Sequence, residues 1–403
     1  MYKGLLGSPF FKNGGSNMEI KEFYGGEALD FFRLCTQLFH APASDEEISE
    51  RVKNDFARKD FARLGAFENG FLSAIEVRPF SVKFDGHDIK MGGIGAVVSS
   101  QEARGKGTIK PLFNAAFEKM YDNEQMLSHL YPFRGDYYRK FDYEPSAYTK
   151  IWHIPTEYLR FSKHGYIKSY DESDSMKEDL KNIYNVFVRG KNLAISEKGS
   201  GFYNDRKPYS SPRFSYIHYN ENHHADGFLC YHMKQYAEKR QDIEVENFWY
   251  SDMSGIIGLL SYLSSLKDYS DSCIIPCNDD LAPFIEFNGG WGKRDSYFET
   301  RFNGSSRVID AEKMLSLADF EGKVSIKIND SLCPWNNDVF TVSDGVVSRG
   351  GEPDAIADIG IFSAMLMGRC ENISLIPNFT VIKNEKALER LFKPKNMWFD
   401  EHF

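Results

Sequence analysis

The period of the apolar positions changes several times along the first third of the chain. Residues 18–23 alternate as a short strand, and 27–40 place Ala28, Phe31, Phe32, Leu34, Cys35, Leu38 and Phe39 at helical spacing. A second helix is expected over 46–58, opened by Ser44 with Glu47 three residues on, a capping-box pair. Strand-like runs follow at 61–67, 71–84 and 88–98, with turn dipeptides at Asn69-Gly70 and Asp85-Gly86. Helical spacing returns at Ile109, Leu112, Phe113, Ala116, Phe117 and Met120, ending near 122, and strands are expected at 126–133 and 144–153. The middle of the chain predicts helices near 174–189 and 254–267 and strands near 214–219, 227–234, 245–251 and 273–276, with a turn cluster at Asn288-Gly289-Gly290. The last part predicts helices near 311–317, 353–366 and 384–392, strands near 323–329 and 338–342, and a turn at Asp344-Gly345.

A length of 403 residues exceeds one typical core, so two or three domains are expected. The net charge of −9 argues against general nucleic-acid binding and mildly favours cationic partners. No apolar run is long enough to span a bilayer, and Met1 to Asn17 lacks the apolar segment of a secretory signal. That leader ends in Asn13-Gly14-Gly15-Ser16-Asn17 and reads as flexible, with Met18 a candidate native start. Cys35, Cys230, Cys273, Cys277, Cys333 and Cys370 are scattered, no metal-ligand spacing is present, and reduced thiols in a cytoplasmic protein are expected.

The stretch that carries chemistry runs from Val97 to Lys110. An apolar strand ends at Val98, a loop delivers Arg104-Gly105-Lys106-Gly107, and a helix follows at once, with Pro111 tolerable only in its first turn. Backbone amides at such a helix start have no intrahelical acceptor and suit a pyrophosphate. Gly105 and Gly107 permit close approach, while Arg104 and Lys106 add charge. The dinucleotide fingerprint fails, because Val98 stands where its third glycine belongs. The nucleotide P-loop fails, because Lys106 is followed by Gly107 and Ser100 occupies the earlier glycine position. An ordinary strand–turn–helix connection stands beside the phosphate reading.

Arg104-x-x-Gly107 after a strand resembles the acyl-CoA pyrophosphate loop of GNAT N-acetyltransferases, with Ile109 at the final position where that loop usually has a small residue. The β-α-α-β-β-β-α-β order of the first region is similar to theirs. Tyr137-Tyr138-Arg139-Lys140-Phe141-Asp142-Tyr143-Glu144-Pro145 resembles the Tyr-Gly-Arg-Phe-Gly-Tyr-x-Pro stretch of the Eis-type (enhanced intracellular survival) acetyltransferases, Asp142 standing in place of the second glycine. The aromatic C-terminus, Phe403, and the Phe302 to Asp310 segment extend the likeness.

That resemblance implies an α+β chain of three domains: a GNAT acetyltransferase fold over 18–153, a second, degenerate GNAT-like domain over 154–295, and a C-terminal sterol-carrier-protein-like domain over 296–403. It also implies a homohexamer, acetyl-CoA as co-substrate, and acetyl transfer to a primary amine of a polycationic small molecule such as an aminoglycoside. Tyr138 would be the general acid, with Tyr137 its neighbouring competitor, and the α-carboxylate of Phe403 the base. His402 is a second candidate base. The pantetheine would run beside Val97, Val98 and Ser99, and the pyrophosphate would meet Gly105, Lys106, Gly107, Thr108, Ile109 and Lys110. Phe133 and Arg134 match a further cofactor contact, although Phe133 reads equally as core. Two other readings stand beside this one: a protein or peptide lysine acetyltransferase, and a lipid- or ligand-binding protein with a vestigial GNAT domain. Trp398 and Phe399 predict that the chain end docks rather than frays.

Overall fold

The computed structural model describes residues 11–12, 18–39, 43–55, 61–196, 212–238, 240–277, 281–287, 295–369, 372–399 and 401. They pack as two units. One combines residues up to 146 with 304–395 and 401, and the other holds 147–303 and 396–399.

The first unit is built on an eight-stranded sheet. Its order is Phe11–Lys12, Glu19–Glu22, Ala62–Phe67, Phe71–Phe84, His87–Ser99, Leu127–Leu130, Ser305–Val308 and Glu144–Pro145. All neighbours are antiparallel except His87–Ser99 and Leu127–Leu130. The helix Ile109–Asp122 buries Leu112, Phe113, Ala116, Phe117 and Met120 in one cluster with Leu64, Ile75, Val77 and Ile94 of the sheet. The expected capping box forms: Ser44 N–H donates to Glu47 Oε2 (2.6 Å) and Glu47 N–H to Ser44 Oγ (3.2 Å), at the start of Asp45–Asp55. Both expected hairpin turns form, with left-handed backbone at Asn69 (φ 54°) and Asp85 (φ 44°). A buried ion pair, Arg63 with Glu76 (2.7 Å), lies beneath the Phe31 and Phe32 rings, which the guanidinium faces at 4.5 and 4.9 Å.

A five-stranded sheet completes this unit, in the order Val346–Arg349, Val339–Ser343, Lys323–Asn329, Ala355–Asp358 and Phe379–Val381. The helix expected over 353–366 is a strand, Ala355–Asp358, followed by a shorter helix, Ile359–Leu366. Ala355–Asp358 is parallel to Lys323–Asn329 and lies inside the sheet. A short apolar run in that setting has no polar alternation to separate it from a buried helix.

The second unit has a seven-stranded sheet: Tyr166–Ser169, Arg213–Tyr219, Ala225–Ala237, Arg240–Tyr250, Ser272–Cys277, Tyr148–Pro155 and Tyr297–Phe302. Again one central pair is parallel, Arg240–Tyr250 with Ser272–Cys277. Helices Asp174–Phe187 and Met253–Ser264 pack on the sheet. The strand expected over 144–153 is two strands in different sheets. Glu144–Pro145 edges the first, and Tyr148–Pro155 pairs with Ser272–Cys277 in the second. In return, Ser305–Val308 pairs with Leu127–Leu130. The two sheets therefore share one order, with the penultimate strand of each drawn from a distant stretch of chain.

Asn13 to Asn17, the Asn288-Gly289-Gly290 turn, Cys370, His402 and Phe403 lie outside the described residues. Phe11–Lys12 pairs with Glu19–Glu22 at the sheet edge. Among the described residues Cys35, Cys273 and Cys333 are free thiols, and no helix is long and apolar enough to cross a membrane.

Candidate functional site

The strand His87–Ser99 has a partner on each side for only part of its length. It pairs with Phe71–Phe84 almost end to end, but with Leu127–Leu130 only at Met91, Gly92 and Gly93. Beyond Gly93 the parallel strands part. A bulge lies just past this point: Ala74 faces Val98 while Glu76 faces Gly95, so Ile75 stands opposite both Ala96 and Val97, and Ala96 adopts φ 45°. The edge of residues 94–99 turned toward Leu127–Leu130 is thus left without a ladder partner among the described residues. Val97, Val98 and Ser99 lie on this edge.

Residues 100–108 fold as successive turns. Ala103 N–H donates to Ser100 O (3.2 Å), Arg104 N–H to Gln101 O (3.2 Å) and Lys106 N–H to Ala103 O (3.1 Å). Arg104 and Lys106 therefore offer their side chains rather than their amides. The amides of Gly105, Gly107, Thr108, Ile109 and Lys110 find no acceptor among the described residues. Gly105 and Gly107 sit at φ 79° and 69°, with nothing within 4 Å of where a Cβ would be, so backbone conformation rather than space calls for glycine. Thr108 does not cap the helix with its side chain, and no acidic residue occupies the first turn. Its hydroxyl is buried and bonds Ser73 Oγ (2.7 Å), which also donates to Ser99 Oγ (2.9 Å). This chain of three hydroxyls ties the strand end to the helix start. Pro111 lies in the first turn of Ile109–Asp122, as its ring requires. Arg104, Lys106 and Lys110 are exposed, Lys106 lying 4.0 Å from Glu68.

Tyr138 closes the short helix Gly135–Tyr138 and is 4% exposed. Its ring meets Phe113 edge-on at 6.3 Å, one turn into the helix that begins at Ile109, and also packs on Phe133 (5.6 Å) and Tyr137 (5.2 Å). Its hydroxyl makes no hydrogen bond with the described residues. Burial, reinforced by Tyr137, raises its pKa well above the usual phenol value, so the group stays protonated. Tyr137 is half-buried, and its pKa is raised by burial alone. The segment ends at Asp142 with φ 60°, a left-handed backbone that glycine adopts more readily than a residue with a side chain. Asp142 lies 3.9 Å from Arg307, a fully buried cation whose Nη2 donates to Asp330 Oδ1 (2.6 Å) and whose guanidinium faces Phe117 at 4.2 Å. Nothing in the sequence pattern marked Arg307, since its burial depends on a strand that arrives from far along the chain.

Phe133 is 70% exposed, which excludes its reading as core, and Arg134 is exposed in a bidentate pair with Asp136 (2.5 Å). The α-carboxylate of Phe403 falls outside the described residues, but the chain leading to it is anchored. Trp398 and Phe399 are buried, Trp398 packing on Phe187 (5.2 Å). In the first unit, Tyr131, directly after Leu127–Leu130, donates its hydroxyl to the carbonyl of Glu401 (2.8 Å). The last described residue thus lies beside the end of the strand that parts from His87–Ser99. Tyr131 was not singled out from sequence, because its partner is 270 residues away.

Residues 19–146 match an acetyltransferase (GNAT) domain, and 311–400 a sterol carrier protein domain. The chain carries a GNAT acetyltransferase domain. It is the domain of an acetyl-transferring enzyme, followed by a second GNAT-like sheet and the sterol-carrier-type C-terminal domain. The fold is similar to that of a probable N-acyltransferase from Enterococcus faecalis (TM-score 0.79, 21% identity, covering 95% of this chain and 99% of that one). It is also similar to a GCN5-related N-acetyltransferase from Anabaena variabilis (TM-score 0.77, 16% identity, 95% and 100% covered). A third similar structure is Eis1 from Mycobacterium abscessus (TM-score 0.76, 15% identity, 95% and 100% covered). No curated protein matches the chain significantly. GNAT domains in general use acetyl-CoA, and the parted strands and unengaged amides fit an extended thioester with a diphosphate at its far end.

Proposed function

We propose that the chain is an Eis-type, acetyl-CoA-dependent N-acetyltransferase acting on a primary amine of a polycationic small molecule such as an aminoglycoside. The observation that carries this reading is the parting of the strands at Gly93 into a loop with five unengaged amides, beside a buried phenol without a hydrogen bond. The pantetheine adds to the free edge at Val97, Val98 and Ser99 as an extra strand. The diphosphate rests on the amides of Gly105 and Gly107 to Lys110, with charge from Arg104, Lys106 and Lys110 and a flanking contact from Phe133 and Arg134. The acceptor nitrogen attacks the thioester carbonyl carbon, the C–N bond forms and the C–S bond breaks. Sulfur takes the proton of Tyr138, and the α-carboxylate of Phe403 takes the ammonium proton. The anchoring of Glu401 by Tyr131 supports a terminal base held near the mouth of the parted strands.

The net charge of −9 favours a cationic acceptor. The same reading carries a homohexamer and a cytoplasmic location, to be checked by light scattering and cell fractionation. An acceptor screen read by thiol release from acetyl-CoA tests the function, with aminoglycosides, lysine-containing peptides and simple amines as arms. Release with aminoglycosides is the expected result. Release with peptides alone would move the assignment to a lysine acetyltransferase, and no release with any amine would remove it.

A further inference from the structure

The second unit holds a cavity of about 400 Å³, none of whose lining residues has a part in the proposed acetyl transfer. This size falls in the roughly 300–1,000 Å³ range of small-molecule sites. His218 forms its floor. The imidazole is fixed from both nitrogens: Nδ1 bonds Asp226 Oδ1 (2.5 Å) and Nε2 bonds the carbonyl of His164 (2.7 Å). Glycines from two walls close on this ring. A Cβ at Gly258 would stand 2.1 Å from its Nε2, and one at Gly165 would stand 2.6 Å from the same atom. The floor is therefore rigid, and its polar atoms are already spent.

The remaining lining has two characters. Phe161, Ile167 and the Tyr262 ring make an apolar wall. At the rim stand Lys163 and Lys267, neither of which pairs with a carboxylate among the described residues, together with the hydroxyl of Ser261. No Asp or Glu lines the cavity. The helix Met253–Ser264 points its C-terminal end this way, which by itself would favour a cation. Its last carbonyls are taken, however: Ser265 N–H donates to Ser261 O and Tyr262 O, Leu266 N–H to Leu263 O, and Ser265 Oγ to Tyr262 O. Two whole ammonium charges then set the sign of the site.

We infer that this cavity binds a small organic anion with an apolar body, a monocarboxylate whose chain or ring lies against Phe161 and Ile167 while its carboxylate meets Lys163 and Lys267. The ligand class differs from that of the proposed acetyl transfer, whose acceptor is an amine. Isothermal titration of the full chain, held in saturating coenzyme A, tests it with octanoate, octylamine and inorganic phosphate as probes. Octanoate should bind one to one, and octylamine about tenfold more weakly or not at all, because both rim charges repel it. Phosphate, lacking an apolar body, should bind more weakly than octanoate. Lys163→Ala with Lys267→Ala should weaken octanoate at least about fivefold, and Ser261→Trp should fill the cavity and abolish binding. Should the tryptophan variant unfold by circular dichroism, the exposed single change Lys267→Gln carries the test. Octylamine binding as tightly as octanoate, phosphate binding as tightly, no saturation by octanoate, or full affinity in the lysine variants would each overturn the assignment.

Discussion

The two large sheets of this chain, of eight and seven strands, share one order over seven of them but differ where strand becomes helix. In the first, residues 100–108 separate His87–Ser99 from Ile109–Asp122, two glycines take left-handed backbone, and five amides are left open. In the second, only Ser251 and Asp252 separate Arg240–Tyr250 from Met253–Ser264. There the Asp252 carboxylate accepts from Gly255 N–H (3.0 Å), the chain's own anion capping amides of the kind the first sheet's junction leaves open. Ser251 N–H is donated to Asp226 O (2.9 Å), and a Cβ at Gly255 would stand 2.1 Å from that same oxygen. The junction is sealed by packing as well as by charge. A shared sheet thus does not confer a shared helix start, because whether the first amides stay open is decided by the few residues that join strand to helix.

The sharpest way to test this contrast is at the phenol. Tyr138→Phe should lower kcat about 10²–10⁴-fold while leaving acetyl-CoA affinity intact, as measured by thiol release and titration. Unchanged turnover would shift the proton donor to Tyr137. Next, Thr108→Asp would import the second junction's own solution into the first. A carboxylate at the helix start should weaken acetyl-CoA by about 1–2 kcal/mol, roughly tenfold in KM, with a smaller effect on kcat. An unaltered KM would mean that the amides do not hold the diphosphate. The reverse change, Asp252→Ala, should cost about 1 kcal/mol in a denaturant melt and leave turnover as it was. A loss of activity without a loss of stability would show that the second junction has kept a role. The smallest effect is a missing one. Burial raises the Tyr138 pKa above its ordinary value near 10, so the protonated donor persists as pH rises, and kcat should show no falling limb from this group below about pH 10. A limb near pH 8 that disappears in Tyr138→Phe would contradict this burial.

Much of the first framework was legible because its segments are amphipathic. The strand Phe71–Phe84 and the helix Ile109–Asp122 follow the residue spacing closely. The capping pair at Ser44 and Glu47 and the turn at Asp85 are local chemistry, readable without the rest of the fold. The glycine turn before Ile109 was legible for the same reason, since glycine conformation and helix-start amides are decided within a dozen residues. Ala355–Asp358 was not legible, being buried between two strands and lacking alternation. Nor was Tyr148–Pro155, whose sheet is set by a partner more than a hundred residues away. Arg307 and Tyr131 belong with these, because each gains its meaning from a residue brought in by tertiary structure. Asp142 lies between the two cases: the departure from glycine was visible, and its left-handed backbone and buried cationic neighbour give the physical context.

The exchange of penultimate strands has a consequence for how the molecule is made. Leu127–Leu130 and Glu144–Pro145 leave a gap that Ser305–Val308 fills, so the first sheet stays open until about three quarters of the chain is translated. Closing it is a late, long-range event of the kind that slows folding. A fragment ending near residue 146 would emerge from the ribosome with a bare seam beside Leu127–Leu130, exposed to aggregation until its missing strand arrived.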